Sequence, residues 1–540
     1  MTYIATVKRI LGELPLTAEI YWQIRQSGKP LNRSFSLRRA QKELPEWRAA
    51  VEASLTQPAL RKNGSPRRKV LLFAELHYWI EHAVLLGMAL AGMGHTVSLA
   101  YLPYPNWRKP INRFDLRRHN AYGQSALGQA APYLQAFSLL DLHSHINLPE
   151  GLAATIQAIS ERDVQYTLQV EDVDPNSELY RLRLERNTQA ALAALTWMQE
   201  HRPDVVITPN GSILEMGAVY QAARTLGIPA VTYEFGEQRG RIWLAQNGEV
   251  MLQETDELWA ARRDLPLDEQ QWEQARNLFA SRQRADLWQN FARRWQGSPN
   301  KGGEQVRADL NLDARPVILL AANVIGDSLT LGRQVFSANM TEWLGRTVGY
   351  FAGRPEAQLV VRIHPGERYT KGPSVADVVR QVMPEGGEHT HLVAADDPVN
   401  TYDLLEIADL GLVYTTTVGL EMAMSGVPAI VAGQTHYRAK GFTLDPTSWE
   451  GYFGLLNAAL SDQHTQSLSK EQVELAWNYA YRFFFEYPHP FPWHLLGVWD
   501  ELKEWPLYRV LSEDGQNAFG DTFRYLLGEP IQWDAPKDWQ

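Results

Sequence analysis

Apolar residues gather in short unbroken runs separated by longer stretches of helical periodicity, and they do so in two separate parts of the chain. In the first half the runs are KVLLFAEL from Lys69, HTVSLAYL from His95, DVVITPN from Asp204 and AVTYEFG from Ala230. Between them lie the helical patterns IEHAVLLGMALAGMG from Ile80, Glu178 to His201, and Ile213 to Leu226. Unbroken apolar runs of this length belong to strands covered on both faces of a parallel sheet. Right-handed crossovers make successive strands parallel neighbours, with helices on both faces of the sheet. The second half restarts with PVILLAAN from Pro316 and continues through a helix around Asn339 to Ala352 and the strand QLVVRI from Gln358. A helix from near Ser374, a strand at Leu392, and the strands DLGLVY from Asp409 and PAIVAG from Pro428 complete it.

A chain of 540 residues is too long for one ordinary core. The expected division is a basic helical extension over 1–66, a Rossmann-like domain over 67–255, and a helical linker region over 256–303 with a loop from Ser298 to Gly303. A second Rossmann-like domain over 304–448 and an aromatic-rich helical region over 449–540 follow. The apolar fraction of 45% and charged fraction of 21% are those of a folded globular protein rather than a disordered one. With no cysteine there are no disulfides and no thiolate metal sites. No apolar run has the length of a signal peptide or a membrane span, so cytoplasmic residence is the expectation.

Polar chemistry collects where the second-half strands end. QLVVRI delivers Arg362, Ile363, His364 and Pro365, and DLGLVY delivers Thr415, Thr416 and Thr417, followed by Gly419, Leu420 and Glu421. In an open α/β sheet, ligands sit at the carboxyl ends of the strands. Arg362 and His364 are suited to neutralising phosphate, threonine hydroxyls to bonding its oxygens, and a helix beginning after Thr417 to presenting N–H groups to the same anion. Glu421 is placed to accept from ribose hydroxyls. His364 is also suited to assisting departure of the phosphate. Asn323, at the end of PVILLAAN, has an amide that can donate to an anion, and Asp327 is expected to cap a helix. His436, Arg438 and Lys440 in THYRAKGF add cations after another strand. A second His-Pro, His489-Pro490, lies among prolines and aromatics and reads as a turn.

The stretch DPVNTYDLLEIADLGLVYTTTVGLEMAMSGVPAIVAG, with RIHPGE before it and THYRAKGFT after it, resembles the capsule polysaccharide biosynthesis proteins, GT-B glycosyltransferases related to bacterial Kdo transferases. The resemblance covers Val317 to Pro446 well and the first half in outline. It implies two Rossmann-like domains facing a cleft, with helical additions at both termini. It also implies a nucleotide-sugar bound by the second domain as donor substrate, with CMP-type donors favoured, and a surface-glycan, capsule or lipid-linked acceptor. C-terminal helices that return to the first domain are common in such proteins. No permanently bound cofactor is implied. With no Asp-x-Asp motif at a strand end, donor binding is expected to need no metal.

The base for the acceptor hydroxyl is then expected from a strand end of the first domain. Glu234 leads, because Glu-Phe-Gly partly matches the acidic-acidic-glycine motif of bacterial sialyltransferases, with Phe235 in the second acidic place. Glu75 and His77 are alternatives, and Glu234 could instead serve as a cap or in a salt bridge. His143 and His145 are spaced like a strand pair facing one side, but lack the neighbours a metal site requires. Up to residue 70 there are 14 Lys or Arg and 5 Asp or Glu, about +9, so the rest of the chain carries about −19 of the formal −10. Arg33, Arg38, Arg39, Lys42, Arg61, Lys62, Arg67, Arg68 and Lys69 are therefore suited either to an anionic membrane face or to a solvated helical surface. The acidic body argues against nucleic acid as a partner. Two other classes fit the same pattern: a UDP-sugar 2-epimerase of the same architecture, and a non-catalytic nucleotide-sugar-binding scaffold.

Overall fold

The computed structural model describes residues 3–27, 29–31, 33–56, 66–144, 146–284, 299–461 and 467–534. They form a mixed α/β protein with two sheets and two compact units. Unit 1 comprises residues 1–163, 174–251 and 488–531, and unit 2 comprises 164–173, 252–487 and 532–540. The helices of the 1–66 segment thus belong to unit 1 and the 256–303 region to unit 2, while the C-terminal region contributes to both.

The sheet of unit 1 contains β1 (Lys69–Glu75), β2 (Thr96–Leu102), β3 (Leu134–Ser138), β4 (Val205–Pro209), β5 (Ala230–Glu234) and β6 (Arg241–Gln246). That of unit 2 contains β7 (Val317–Ala321), β8 (Gln358–Arg362), β9 (Thr390–Val393), β10 (Leu410–Val413) and β11 (Ala429–Val431). The two-residue β12 (His489–Pro490) completes the first sheet, whose order is β12-β6-β5-β4-β1-β2-β3. The second is β11-β10-β7-β8-β9. All neighbouring pairs are parallel except β5 with β6 and β6 with β12. The parallel strands of both units therefore follow one topology: the first strand central, two added on one side, two on the other.

Central position explains the apolar runs. Every residue of β7, β8 and β10 is buried, and so is all of β1 after Lys69. The helix His77–Gly92 is buried from Trp79 onward, so its apolar residues surround it instead of forming one stripe. Two features depart from expectation. The chain adds β6 and β12 as antiparallel edge strands, and His489-Pro490 is one of them instead of a turn. Pro490 is tolerated there because an edge strand can lack a donor. His489 is buried, edge-on to Tyr525.

Candidate functional site

In unit 2, Ala321 is in register with Arg362 on one side and Val413 on the other. Two residues beyond those strand ends stand Asn323, His364 and Thr415, one on each of three adjacent strands. The order of strand addition reverses between β7 and β10, which is where open α/β sheets bind ligands. Asn323 and Thr415 meet at that point: the Thr415 amide donates to Asn323 Oδ1 at 3.2 Å. Thr415 is buried, and its Oγ1 has no hydrogen-bond partner among the described residues. Among the described residues Ser212, Ser337 and Thr435 also carry such hydroxyls, and Thr415 is the one that stands in the strand-end row.

His364 is half-buried and its Nδ1 accepts the Gly366 amide at 3.0 Å, which puts the proton of a neutral ring on Nε2. Pro365 then opens the turn Pro365–Tyr369, where its missing N–H costs nothing. Arg362 departs from the expected free phosphate clamp. It is buried, Nη1 donates to the Ala394 carbonyl at 2.6 Å and Nε to Thr401 Oγ1 at 3.5 Å, so it braces the loop after β9. Burial pulls its pKa down to about 10, against the pull of Asp397, and it remains a cation at neutral pH.

The threonine triplet leads into the helix Val418–Met424. Thr416 Oγ1 accepts the Val418 amide at 3.4 Å, and Thr417 precedes the helix without a side-chain cap. Gly419 is required by close approach: a Cβ there would lie 2.4 Å from the Tyr437 hydroxyl, which donates to the Thr416 carbonyl at 2.5 Å. That contact fixes the backbone of the triplet from below. Glu421 is buried and paired with Arg282 at 3.0 Å, and its Oε1 also accepts from the Tyr402 hydroxyl at 3.2 Å. A ribose contact would have to compete with this buried ion pair. Asp327 caps no helix: it lies in a turn, accepts from the Ser328 hydroxyl at 3.2 Å, and burial raises its pKa.

Arg438 and Lys440 do not form the expected cationic rim. Arg438 is buried and donates to the carbonyls of Val431 and Pro446, and Lys440 is paired with Asp256. His436 stacks on Phe483 with ring centres 3.6 Å apart, and burial holds its pKa well below the ordinary value, so it adds no charge. All three join the β11 loop to the rest of unit 2.

In unit 1 the same register argument aligns Glu75, Asn210 and Glu234 at the ends of β1, β4 and β5. Glu234 is half-buried. Burial lifts its carboxyl to about 7, opposed by the Phe235 amide at 3.1 Å and Asn210 Nδ2 at 3.2 Å. A carboxylate titrating near neutrality is matched to general-base work. Glu75 is instead fully enclosed and accepts the Glu215 amide at 3.1 Å. Burial and the neighbouring Glu215 push its pKa well up. Burial would also raise Glu215, but Arg183 outweighs it and holds that carboxyl down at about 2. Arg183 bonds Glu215 at 2.7 Å, Asp163 at 3.0 Å and Asn187 at 3.1 Å, all without solvent exposure. Asp163 in turn accepts the Leu214 amide at 2.6 Å. This network occupies the start of the helix Leu214–Thr225, so Glu75 is one of the groups that hold the fold together.

His77 begins the helix after β1, half-buried, with its pKa lowered by burial. His143 and Ser144 line a cavity of about 300 Å³ with Tyr104, Arg186 and Gln189, while His145 lies outside the described residues. Among the described residues no group of three His, Asp or Glu side chains could hold a metal ion. Asn210, Arg282 and Arg183 escaped the sequence reading. Of these, Asn210 alone left a signal, as the polar end of DVVITPN. Of the basic residues, Arg33, Arg38, Arg39, Lys42 and Arg67 are exposed, Arg68 is half-buried and Lys69 opens β1, whereas Arg61 and Lys62 lie outside the described residues.

No protein-family model matches the chain, and no curated protein matches it. Solved structures do. Thermosulfurimonas dismutans KpsC, a beta Kdo 2,4 transferase, aligns at 17% identity over 54% of this chain and 83% of its own, with a TM-score of 0.35. The UDP-GlcNAc 2-epimerase from Neisseria meningitidis bound to UDP-GlcNAc aligns at 13% identity over 78% and 99%, with a TM-score of 0.24. A glycosyltransferase from Rickettsia africae ESF-5 aligns at 8% identity over 83% and 100%, with a TM-score of 0.26.

Proposed function

We propose that this protein is a glycosyltransferase that binds a nucleotide-sugar on unit 2 and moves the sugar to a glycan or lipid-linked acceptor. The observation that carries the reading is the row Asn323, His364 and Thr415 at the ends of β7, β8 and β10, with a buried threonine hydroxyl that has no partner among the described residues at the reversal of strand order. A donor diphosphate or phosphodiester supplies the acceptor that hydroxyl lacks. Asn323 Nδ2 and His364 Nε2–H are the nitrogen donors, and His364 stabilises the departing phosphate as charge develops on it. Arg362 acts by holding the loop after β9, and its charge adds to the positive potential of the strand ends. Glu234 takes the proton of the acceptor hydroxyl, for which its pKa near 7 is suited. Within this reading CMP-type donors remain favoured on the sequence resemblance, and no step requires a metal ion.

Incubating the purified protein with CMP-, UDP- and GDP-sugars, with and without glycan acceptors, tests the assignment. Acceptor-dependent release of nucleotide supports it. Conversion of the sugar without an acceptor would make the protein an epimerase, and binding without turnover would make it a scaffold.

A further inference from the structure

Seven of the sixteen exposed large apolar side chains among the described residues lie between positions 4 and 24. They are Ile4, Ile10, Leu14, Leu16, Ile20, Tyr21 and Ile24, on the helices Tyr3–Glu13 and Thr17–Gln26 and the turn joining them. Ile24 is 73% exposed and Ile4 67%. On the first helix Ile4, Val7, Ile10 and Leu11 share an arc of about 120° at 3.6 residues per turn. On the second, Ile20, Tyr21 and Ile24 share another, displaced from the buried Ala18 and Trp22.

The isoleucines of these arcs are exposed, whereas Val7 and Leu11 are half-buried and Tyr21 lies edge-on to Phe114 at 5.7 Å. The hairpin is fastened to the helix Arg113–Leu127 largely by charged groups: Lys8 to Asp115 at 2.8 Å, Glu13 to Arg113 at 2.6 Å and Glu19 to Arg117 at 2.5 Å. Arg117 also donates to the carbonyls of Gly12 and Leu14, and Arg118 lies over the Tyr21 ring. A hairpin built for stability alone would put its polar side in water and its apolar side on the protein. This one also leaves Leu16, 64% exposed, at a left-handed φ of 60°, a conformation that strains leucine. Around the patch Arg9, Arg25, Lys29 and Arg33 are exposed, and among the described residues they make no ion pair, whereas both acidic residues of the hairpin are paired. A surplus of cations beside an apolar face, on a chain of formal charge −10, is complementary to an anionic bilayer.

We infer that the helical hairpin 3–26 is an interfacial membrane anchor: its isoleucine and leucine side chains enter the acyl boundary of an anionic leaflet while the four cations lie among the headgroups. No helix of the described residues is long and apolar enough to cross a membrane, so the contact is peripheral. The inference does not depend on the transfer reading, since it is measured by binding alone. The full chain should co-sediment with phosphatidylcholine–phosphatidylglycerol vesicles, and less with phosphatidylcholine alone. Ile20→Asp with Ile24→Asp should weaken that binding about tenfold or more while leaving the melting curve and nucleotide binding unchanged. Arg25→Glu with Lys29→Glu should remove the preference for the anionic vesicles and its salt sensitivity. The inference is overturned if the wild-type chain ignores both vesicles at low salt or if the isoleucine variant binds as well as wild type. It is also overturned if the wild-type chain is a dimer that those same substitutions dissociate, because the face would then be an interface between copies.

Discussion

Replacing Thr415 by Val separates a residue kept for a ligand from one kept for the fold. The two side chains have the same shape, and the substitution removes only a hydroxyl that is buried without a partner among the described residues. Burying such a group costs about 1–3 kcal/mol, so the ligand-free variant should be more stable by about 1 kcal/mol, near the lower end of that range. In a unit of this size that corresponds to a rise of about 2–4 °C in the melting of unit 2. Nucleotide binding should move the opposite way. One hydrogen bond to a charged phosphate contributes about 1.5–3 kcal/mol, or roughly a 30-fold change in Kd near the middle of that range. At a ligand concentration about 100 times the wild-type Kd, stabilisation of about 2.7 kcal/mol should fall to about 0.9 kcal/mol in the variant. Differential scanning fluorimetry of both proteins with and without CMP or UDP reads both effects. A lower melting temperature for the ligand-free variant would mean that the hydroxyl has a partner in the fold. An unchanged ligand-induced shift would remove Thr415 from the site.

Glu234→Gln should abolish transfer, and in the wild type kcat/KM should fall as pH drops through about 7, because the base works deprotonated. The same raised pKa makes the wild-type fold lose stability as pH rises from the unfolded carboxylate value of about 4.5 to about 7. Glu234→Gln should therefore be the more stable protein at pH 8 and lose that advantage at acid pH, as urea melts would show. His364→Ala should reduce turnover by about 100-fold with an unchanged melt. Arg362→Ala should reduce both turnover and melting temperature, since the Ala394 carbonyl loses its buried partner. Arg183→Met should destabilise unit 1 by about 3–5 kcal/mol by stranding Asp163 and Glu215, which equilibrium unfolding would detect, and should leave nucleotide binding to unit 2 intact.

The central strands were legible because burial on both faces writes itself as an unbroken apolar run, as in VILLA of β7 and QLVVR of β8. Edge strands carry weaker marks. In β6, RIWLAQ, only alternate residues are fully buried, and β12 is two residues long, so neither could be read from composition. The position of Asn323, His364 and Thr415 at adjacent strand ends was legible too, since it follows from topology. Spacing failed where the decisive partner is distant in sequence. Lys440 is tied to Asp256, 184 residues away, and Glu421 to Arg282, 139 residues away, and no local pattern announces either pair. Arg438 was misread for another reason: a cation after a strand looks the same whether it faces a ligand or, as here, two carbonyls.

Photolabelling tests the central claim most directly. Azido-substituted cytidine and uridine nucleotides would be irradiated with the purified protein, with unlabelled nucleotide as competitor, and the modified peptides identified by mass spectrometry. Binding at the ends of β7, β8 and β10 predicts competed labels in the segments 322–333, 363–371 or 414–424, and their loss in His364→Ala or Thr415→Val. Competed labels confined to unit 1, or labelling of unit 2 that both substitutions leave unchanged, would contradict it.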